Sequence, residues 1–265
     1  MSFLELENKT FLITGVANKK SVAYFSAKTL VDNGADVIFT VQNSDIFEKV
    51  SLLFPGKKIY LLDVKNDVAI TEFGRMLKHS GVILHGFLHS IAFANYSEGM
   101  KPFHETKLQD YLEASTISSF SLVALSNAIK EVLDPKASVV TISISSTRAT
   151  NYGYMGPIKA SLDASVAFLA KSFSSSSSVR FNAVCSGPLK TSASAGIPGY
   201  IENYLYAEQL TMRKEALNTA EVANTVVFLL SPRSSGINAS GVLVDAGMSA
   251  NYFDESVVAA YSKQS

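Results

Sequence analysis

Residues 10–23, Thr10-Phe11-Leu12-Ile13-Thr14-Gly15-Val16-Ala17-Asn18-Lys19-Lys20-Ser21-Val22-Ala23, run from a short apolar strand through a glycine turn into a helix. A pyrophosphate fits beyond such a strand where the backbone comes close and a helix N-terminus turns its free N–H groups toward it. Gly15 permits the tight turn, and Ser21 is placed as an N-cap or a phosphate donor. The second and third glycines of G-x-G-x-x-G are absent. Taken alone, the stretch therefore fits an ordinary strand-to-helix turn with a capping serine as well. After it, Ala23, Ala27, Leu30 and Val31 stand at i, i+4, i+7 and i+8, one helical stripe that ends near Asn33-Gly34.

Outward from this unit, strand-like runs alternate with helical ones to the end of the chain. The further strands expected are Asp36–Thr40, Lys58–Asp63, Ile83–His89, Ser138–Ser143, Arg180–Val184 and Gly241–Val244. Several are continuously apolar, as strands are when a sheet is covered on both faces. The pattern predicts an α/β fold: one doubly wound, Rossmann-type domain over residues 1–265 with a mostly parallel sheet of about seven strands. No internal repeat or linker divides it. Ser174–Ser178 reads as a loop before an apolar strand. Residues 192–212 hold Tyr200, Ile201, Tyr204 and Leu205, and are expected to form a substrate-binding lid.

Composition narrows the function classes. The chain has 265 residues, 23 basic and 23 acidic, so no charge excess suits a nucleic acid or a membrane surface. Cys185 is the single cysteine, which fits a reducing compartment. The first residues carry acids where a signal peptide needs bases. The apolar stretch from Gly81 to Ala94 is broken by His85 and His89 and is too short to span a bilayer. A cytoplasmic enzyme is the expectation, with no metal site.

Ligands of doubly wound sheets bind beyond the carboxyl ends of the strands. The tip of the second strand reads Thr40-Val41-Gln42-Asn43-Ser44-Asp45, with no cation for the 2′-phosphate of NADP, and Lys49 is the nearest. NADH is therefore expected rather than NADPH. Asp63-Val64 and His89-Ser90-Ile91-Ala92 close the third and fourth strands, beside the adenine and the nicotinamide ribose respectively. Asp63 serves equally well as an acid preceding a helix. After the fifth strand, Tyr152 and Lys159 stand seven apart, nearly two helical turns, which predicts one shared helix face with Lys159 leaning back toward Tyr152. Tyr154 falls off that face. A phenol beside an ammonium suits reduction: the cation binds ribose hydroxyls and lowers the phenol's pKa, and the phenol hydrogen-bonds a carbonyl oxygen. In isolation the same spacing fits a packed tyrosine and a solvated lysine.

The whole pattern resembles the enoyl-acyl-carrier-protein reductases, a divergent branch of the short-chain dehydrogenases. Gly15-Val16-Ala17 with Ser21-Val22-Ala23, Phe39-Thr40 with Gln42-Asn43, and His89-Ser90-Ile91-Ala92-Phe93-Ala94 carry it. So do Ile117-Ser118-Ser119-Phe120-Ser121, Asn151-Tyr152 with Met155-Gly156 and Lys159-Ala160-Ser161-Leu162, Ser186-Gly187-Pro188-Leu189-Lys190-Thr191, and Val244-Asp245-Ala246-Gly247. The resemblance implies hydride transfer from NADH to the β-carbon of a trans-2-enoyl thioester, on acyl carrier protein or coenzyme A. Tyr152 and Lys159 would be catalytic, with Lys159 fixing the ribose. Gly15, Ser21, Val22, Gln42, Asp63, Val64, Ser90, Leu189 and Thr191 would line the cofactor. Ala94, Met155, Ile197 and Tyr200 would meet the acyl chain together with Tyr152. It also implies a homotetramer. One departure stands out: where many members have T-x-S-Y, this chain has Thr141-Ile142-Ser143-Ile144, and Ile144 donates no hydrogen bond, although Ser145 or Ser146 could serve there. Two further readings follow from that change: reduction of another activated alkene or carbonyl, and a catalytically weak nucleotide-binding relative.

Overall fold

In the computed structural model, which describes residues 3–191, 194 and 196–262, seven strands join one sheet in the order β3-β2-β1-β4-β5-β6-β7. These are β1 (Thr10–Thr14), β2 (Asp36–Val41), β3 (Lys58–Leu61), β4 (Leu84–His89), β5 (Leu133–Ile144), β6 (Arg180–Ser186) and β7 (Ser240–Val244). Every neighbouring pair is parallel. Strand order reverses between β1 and β4, and their carboxyl ends open the crevice where doubly wound sheets take ligands. The sequence-based strands all form. β3 stops two residues early and β5 starts five residues early, at the ends, where pairing partners rather than local pattern decide.

The helices are α1 (Val22–Asp32), α2 (Ser44–Leu53), α3 (Asp67–His79), α4 (Leu108–Ser115), α5 (Ser121–Ile129), α6 (Met155–Phe173), α7 (Tyr200–Leu210), α8 (Thr219–Leu230) and α9 (Glu255–Ser262). Ser21 caps α1 as expected, its hydroxyl accepting from Tyr24 N–H at 3.1 Å, and Asn33 ends that helix. Asn43 and Asn66 cap α2 and α3 in the same way. The serines after α6 form the expected turn, with Ser178 N–H bonded to Pro135 O.

Side-chain alternation along the strands feeds two cores. Phe11 and Ile13 face α1 and α8, in a cluster with Ala23, Ala27, Leu30, Val222 and Val226. Leu12 faces the other way, into a cluster with Phe73, Leu77, Leu122, Leu125, Leu162 and Val166 of α3, α5 and α6. All three strand residues are fully buried, so β1 shows no polar alternation. No helix among the described residues is long and apolar enough to cross a membrane. Of the expected lid, residues 192, 193 and 195 lie outside the described residues. The rest carries α7, which buries Tyr204 and Ala207 and exposes Ile201, Leu205 and Tyr206.

Candidate active site

The nucleotide side of the crevice is made of backbone. Gly15 has φ +84°, and a Cβ there would come within 1.9 Å of Ser90 O. Only glycine lets the β1–α1 turn lie flush against the tip of β4. Thr14 locks the same junction: its Oγ1 donates to Leu88 O at 3.0 Å and accepts from Ser90 N–H at 3.3 Å. The N-terminus of α1 follows, with no acid in its first turn. Its orphan N–H groups suit a phosphate. Ser21 Oγ is taken by the cap and by Asn18 O, so Ser21 acts through the helix end rather than as a free donor.

Gln42 is exposed at the tip of β2, while Asn43 is engaged in capping. Asp63 is half-buried after β3 and accepts from Lys65 N–H; Val64 beside it is buried. Ile91 is half-buried and Ala92 exposed beyond β4. Leu189, buried, and Thr191, half-buried, follow β6. These residues bring a close backbone approach and a helix N-terminus to one sheet edge, beside a β2 tip whose residues 41–45 include no basic side chain. They fit a dinucleotide.

The other side is made of buried and half-buried side chains. Tyr152 does not lie on a helix with Lys159, contrary to the spacing argument. It closes a 3-10 turn, Thr150–Tyr152; Gly153 then turns the chain at φ +57°, and α6 starts only at Met155. Pro157 in the first turn of α6 marks that start, since proline is tolerated there and not deeper. A Cβ on Gly153 would meet Tyr96 Oη at 3.4 Å. Lys159, 4% exposed, donates to Ile142 O at 2.8 Å and not to Tyr152. Its burial lowers its pKa to about 8. The Tyr152 phenol is pushed up to about 12 by burial, with Tyr200 adding to the effect. The expected lowering by Lys159 is therefore corrected: the ammonium points to a β5 carbonyl, and desolvation dominates at the phenol. Tyr152 is a neutral donor at physiological pH.

Tyr152 packs with Ala94, Tyr96, Tyr111, Tyr154, Met155 and Ile158 in a small apolar cluster. Ala94 and Met155 thus meet Tyr152, as the resemblance implies. Ile197 is not among the described residues of that cluster and lies in the turn before α7, where its carbonyl accepts from Tyr200 N–H. The Tyr200 hydroxyl accepts from Leu189 N–H at 2.8 Å and donates to Leu189 O at 2.9 Å, pinning the segment after β6. Ile144 ends β5 half-buried, and neither Ser145 nor Ser146 places its hydroxyl on a described partner. Tyr96, which the sequence did not single out, supplies a second tyrosine here: its hydroxyl donates to Tyr152 O at 3.3 Å. Tyr154 donates to Asn95 O at 2.9 Å and stacks at 5.2 Å on Tyr96. Together they clamp the loop after β4 to the turn that ends in Tyr152.

Behind the site, two of the sequence blocks prove to be partners. Ser121 donates to Ile117 O, so its oxygen accepts from His89 Nε2–H at 2.8 Å, and Nδ1 accepts from Thr141 at 2.9 Å. Ser118 Oγ accepts from Phe93 N–H and donates to Phe93 O. Ser118 lies in a π-helical turn, Thr116–Phe120, that links α4 to α5. Burial and the nearby Lys159 lower His89 to about 3, so it is neutral.

Residues 15–249 match the family model described as enoyl-(acyl carrier protein) reductase. This chain belongs to that family. An NADH-dependent enoyl-[acyl-carrier-protein] reductase of Enterococcus faecalis is 35% identical over 246 residues, covering 92% of this chain and 98% of that one. An NADPH-dependent one of Staphylococcus aureus is 34% identical over 255 residues, covering 93% and 99%. Among solved structures, the Bacillus cereus enoyl-acyl carrier protein reductase with NADP+ and an indole naphthyridinone superposes with a TM-score of 0.86 at 32% identity, covering 91% and 96%. The Aquifex aeolicus reductase (NADH) gives 0.87 at 30%, covering 92% and 97%. The family is one of nicotinamide-dependent oxidoreductases, and relatives with either cofactor are equally similar to this chain.

Proposed function

We propose that this protein reduces the 2,3 double bond of a trans-2-enoyl thioester carried on acyl carrier protein, with NADH as cofactor. The observation that carries this reading is Tyr152: a half-buried, neutral phenol set in an apolar cluster with Ala94 and Met155. The nicotinamide supplies the hydride when bound. Tyr152 holds the thioester carbonyl oxygen as negative charge develops there, donating a hydrogen bond that strengthens along the reaction. Lys159 would hold the ribose hydroxyls. Gly15 and the α1 N-terminus, capped by Ser21, would seat the diphosphate; Ser90, Ile91 and Ala92 would lie beside the nicotinamide ribose, and Val22, Leu189 and Thr191 would line the rest. Gln42 meets the adenosine ribose, with Asp63 and Val64 beside the adenine. The absence of a cation at that tip supports NADH over NADPH. Residues 192–212 act as the lid, and Ile197 and Tyr200 face the acyl chain. Tyr96 partly replaces the tyrosine lost at Ile144 by fixing the catalytic turn.

The protein works as a cytoplasmic homotetramer. In support, Leu108, Leu112, Phe120 and Phe168 on and beside α4–α6 are all exposed in the single chain. Sedimentation as a monomer would refute the tetramer.

The test is NADH absorbance on adding a short trans-2-enoyl thioester, with NADPH in parallel. Oxidation of NADH is expected, and Gln42→Arg should raise the NADPH rate about tenfold relative to NADH. Silence with both cofactors, in protein that binds NADH, would sink the reading. A second reading, reduction of another activated alkene or carbonyl, rests on Ile144. It predicts faster turnover with enones or ketones than with any thioester, on either acyl carrier protein or coenzyme A.

A further inference from the structure

One turn along α6 from Lys159 lies Asp163, a half-buried carboxyl that the reaction as described does not use. Its Oδ1 is shut off from water and has no hydrogen-bond partner in the structure. The Ser143 hydroxyl of β5 is buried in the same condition, and Ser143 stands opposite Cys185 of β6 in the sheet register. Where α6 packs on β5 and β6, Ser143, Cys185, Lys159 and Asp163 lie near enough to influence one another's ionisation. Each senses the others. Ser143 and Lys159 favour the charged form of Asp163 against the cost of burial. Asp163 in turn favours the charged form of Lys159. Cys185 is held up at about 11 and stays a neutral thiol. From β4, His89 is neutral. Among the described groups that influence Lys159, Asp163 is the carboxyl, although burial raises its own pKa above the ordinary carboxylate value.

A buried ammonium with a single carbonyl acceptor is expensive to keep charged. Lys159 must be charged to grip ribose hydroxyls as a donor on all its N–H groups. We propose that Asp163, with the Ser143 hydroxyl nearby, is the buried counter-ion that keeps Lys159 an ammonium and sets the upper pH limit of cofactor binding. Asp163 is a positioning residue, acting through Lys159. The proposal rests on the reading that Lys159 holds the nicotinamide ribose.

The experiment follows NADH dissociation constants by fluorescence from pH 6 to 10, alongside the pH profile of kcat/KM, in the full-length protein. In the wild type, affinity falls as Lys159 deprotonates above about pH 8. Asp163→Asn should move that fall down by about one to two pH units, and Asp163→Glu should restore it to within about half a unit. Lys159→Met should abolish the limb. If Asp163→Asn yields no folded protein, Ser143→Ala reads the same coupling and should shift the limb in the same direction by less. An unmoved limb in Asp163→Asn, or in Ser143→Ala if only that variant folds, overturns the proposal, even with a lower melting temperature. A limb that survives Lys159→Met overturns it too. Failure to reduce any enoyl thioester while the limb still moves would sink the substrate reading and leave the counter-ion standing.

Discussion

Along the carboxyl edge of the sheet, the Gly15 side and the Tyr152 side are assembled from different materials. At Gly15 the contacts are main-chain: a turn pressed on Ser90 O, a capped helix end, a threonine tying β1 to β4. At Tyr152 they are side-chain: a phenol in an apolar cluster, a buried ammonium, a neutral imidazole and two clamping tyrosines. The first side suits a shape common to all dinucleotides, which backbone N–H groups read without side-chain identity. The second manages charge in a dry place, where each group's ionisation depends on its neighbours. Changes on the Gly15 side should thus act on binding, and changes on the Tyr152 side on turnover and pH response.

The largest effect is expected at Tyr152. Tyr152→Phe should cut kcat by about 10²–10⁴-fold while NADH affinity stays within about twofold. Loss of both together would erase the distinction between the two sides.

His89 comes next. Its folded pKa, about 3, lies below the ordinary histidine value of 6.5. The unfolded chain therefore binds the proton more readily between those values, and stability falls as pH drops from about 6.5 toward 3. Each pH unit costs up to about 1.4 kcal/mol from this group. Urea melts from pH 7 to 4 check the slope. His89→Gln should flatten it; an unchanged slope would remove His89 from the account.

Gly15→Ala is expected to weaken NADH binding at least tenfold. The new Cβ collides with Ser90 O and sits at a φ that strains it by about 1–3 kcal/mol. Titration of NADH fluorescence measures this, and unaltered binding would show that the turn does not seat the diphosphate.

The smallest effect belongs to Tyr96→Phe, which removes one hydrogen bond to the Tyr152 carbonyl, worth about 0.5–1.5 kcal/mol. A few-fold loss in kcat at unchanged NADH affinity is the expected outcome. A larger loss in affinity than in kcat would place Tyr96 on the wrong side of the comparison.

The Gly15 side was readable in the chain because its signals are local. A strand, a glycine and a capping serine lie within a dozen residues, and each constrains its own backbone. The Tyr152 side was readable only as residue types. The seven-residue spacing to Lys159 suggested a shared helix, yet Gly153 turns the chain away and Pro157 marks a helix start only just before that lysine, and their punctuation was there to be seen. Tyr96 gave no such signal, since its value comes from a contact with a residue 56 positions away.

The amino-acid sequence alone determined the doubly wound parallel fold and the family, and marked Tyr152 and Lys159 as candidates, because strand and helix periodicities and motif order are properties of neighbours along the chain. Only the tertiary structure decided what surrounds them. His89 meets Ser121 across 32 residues and Thr141 across 52. Lys159 turns to Ile142, and Asp163 faces the β5–β6 seam. Those arrangements fix which groups are charged, because the cost of a buried charge depends on how close its partners come in space and not on their distance along the chain.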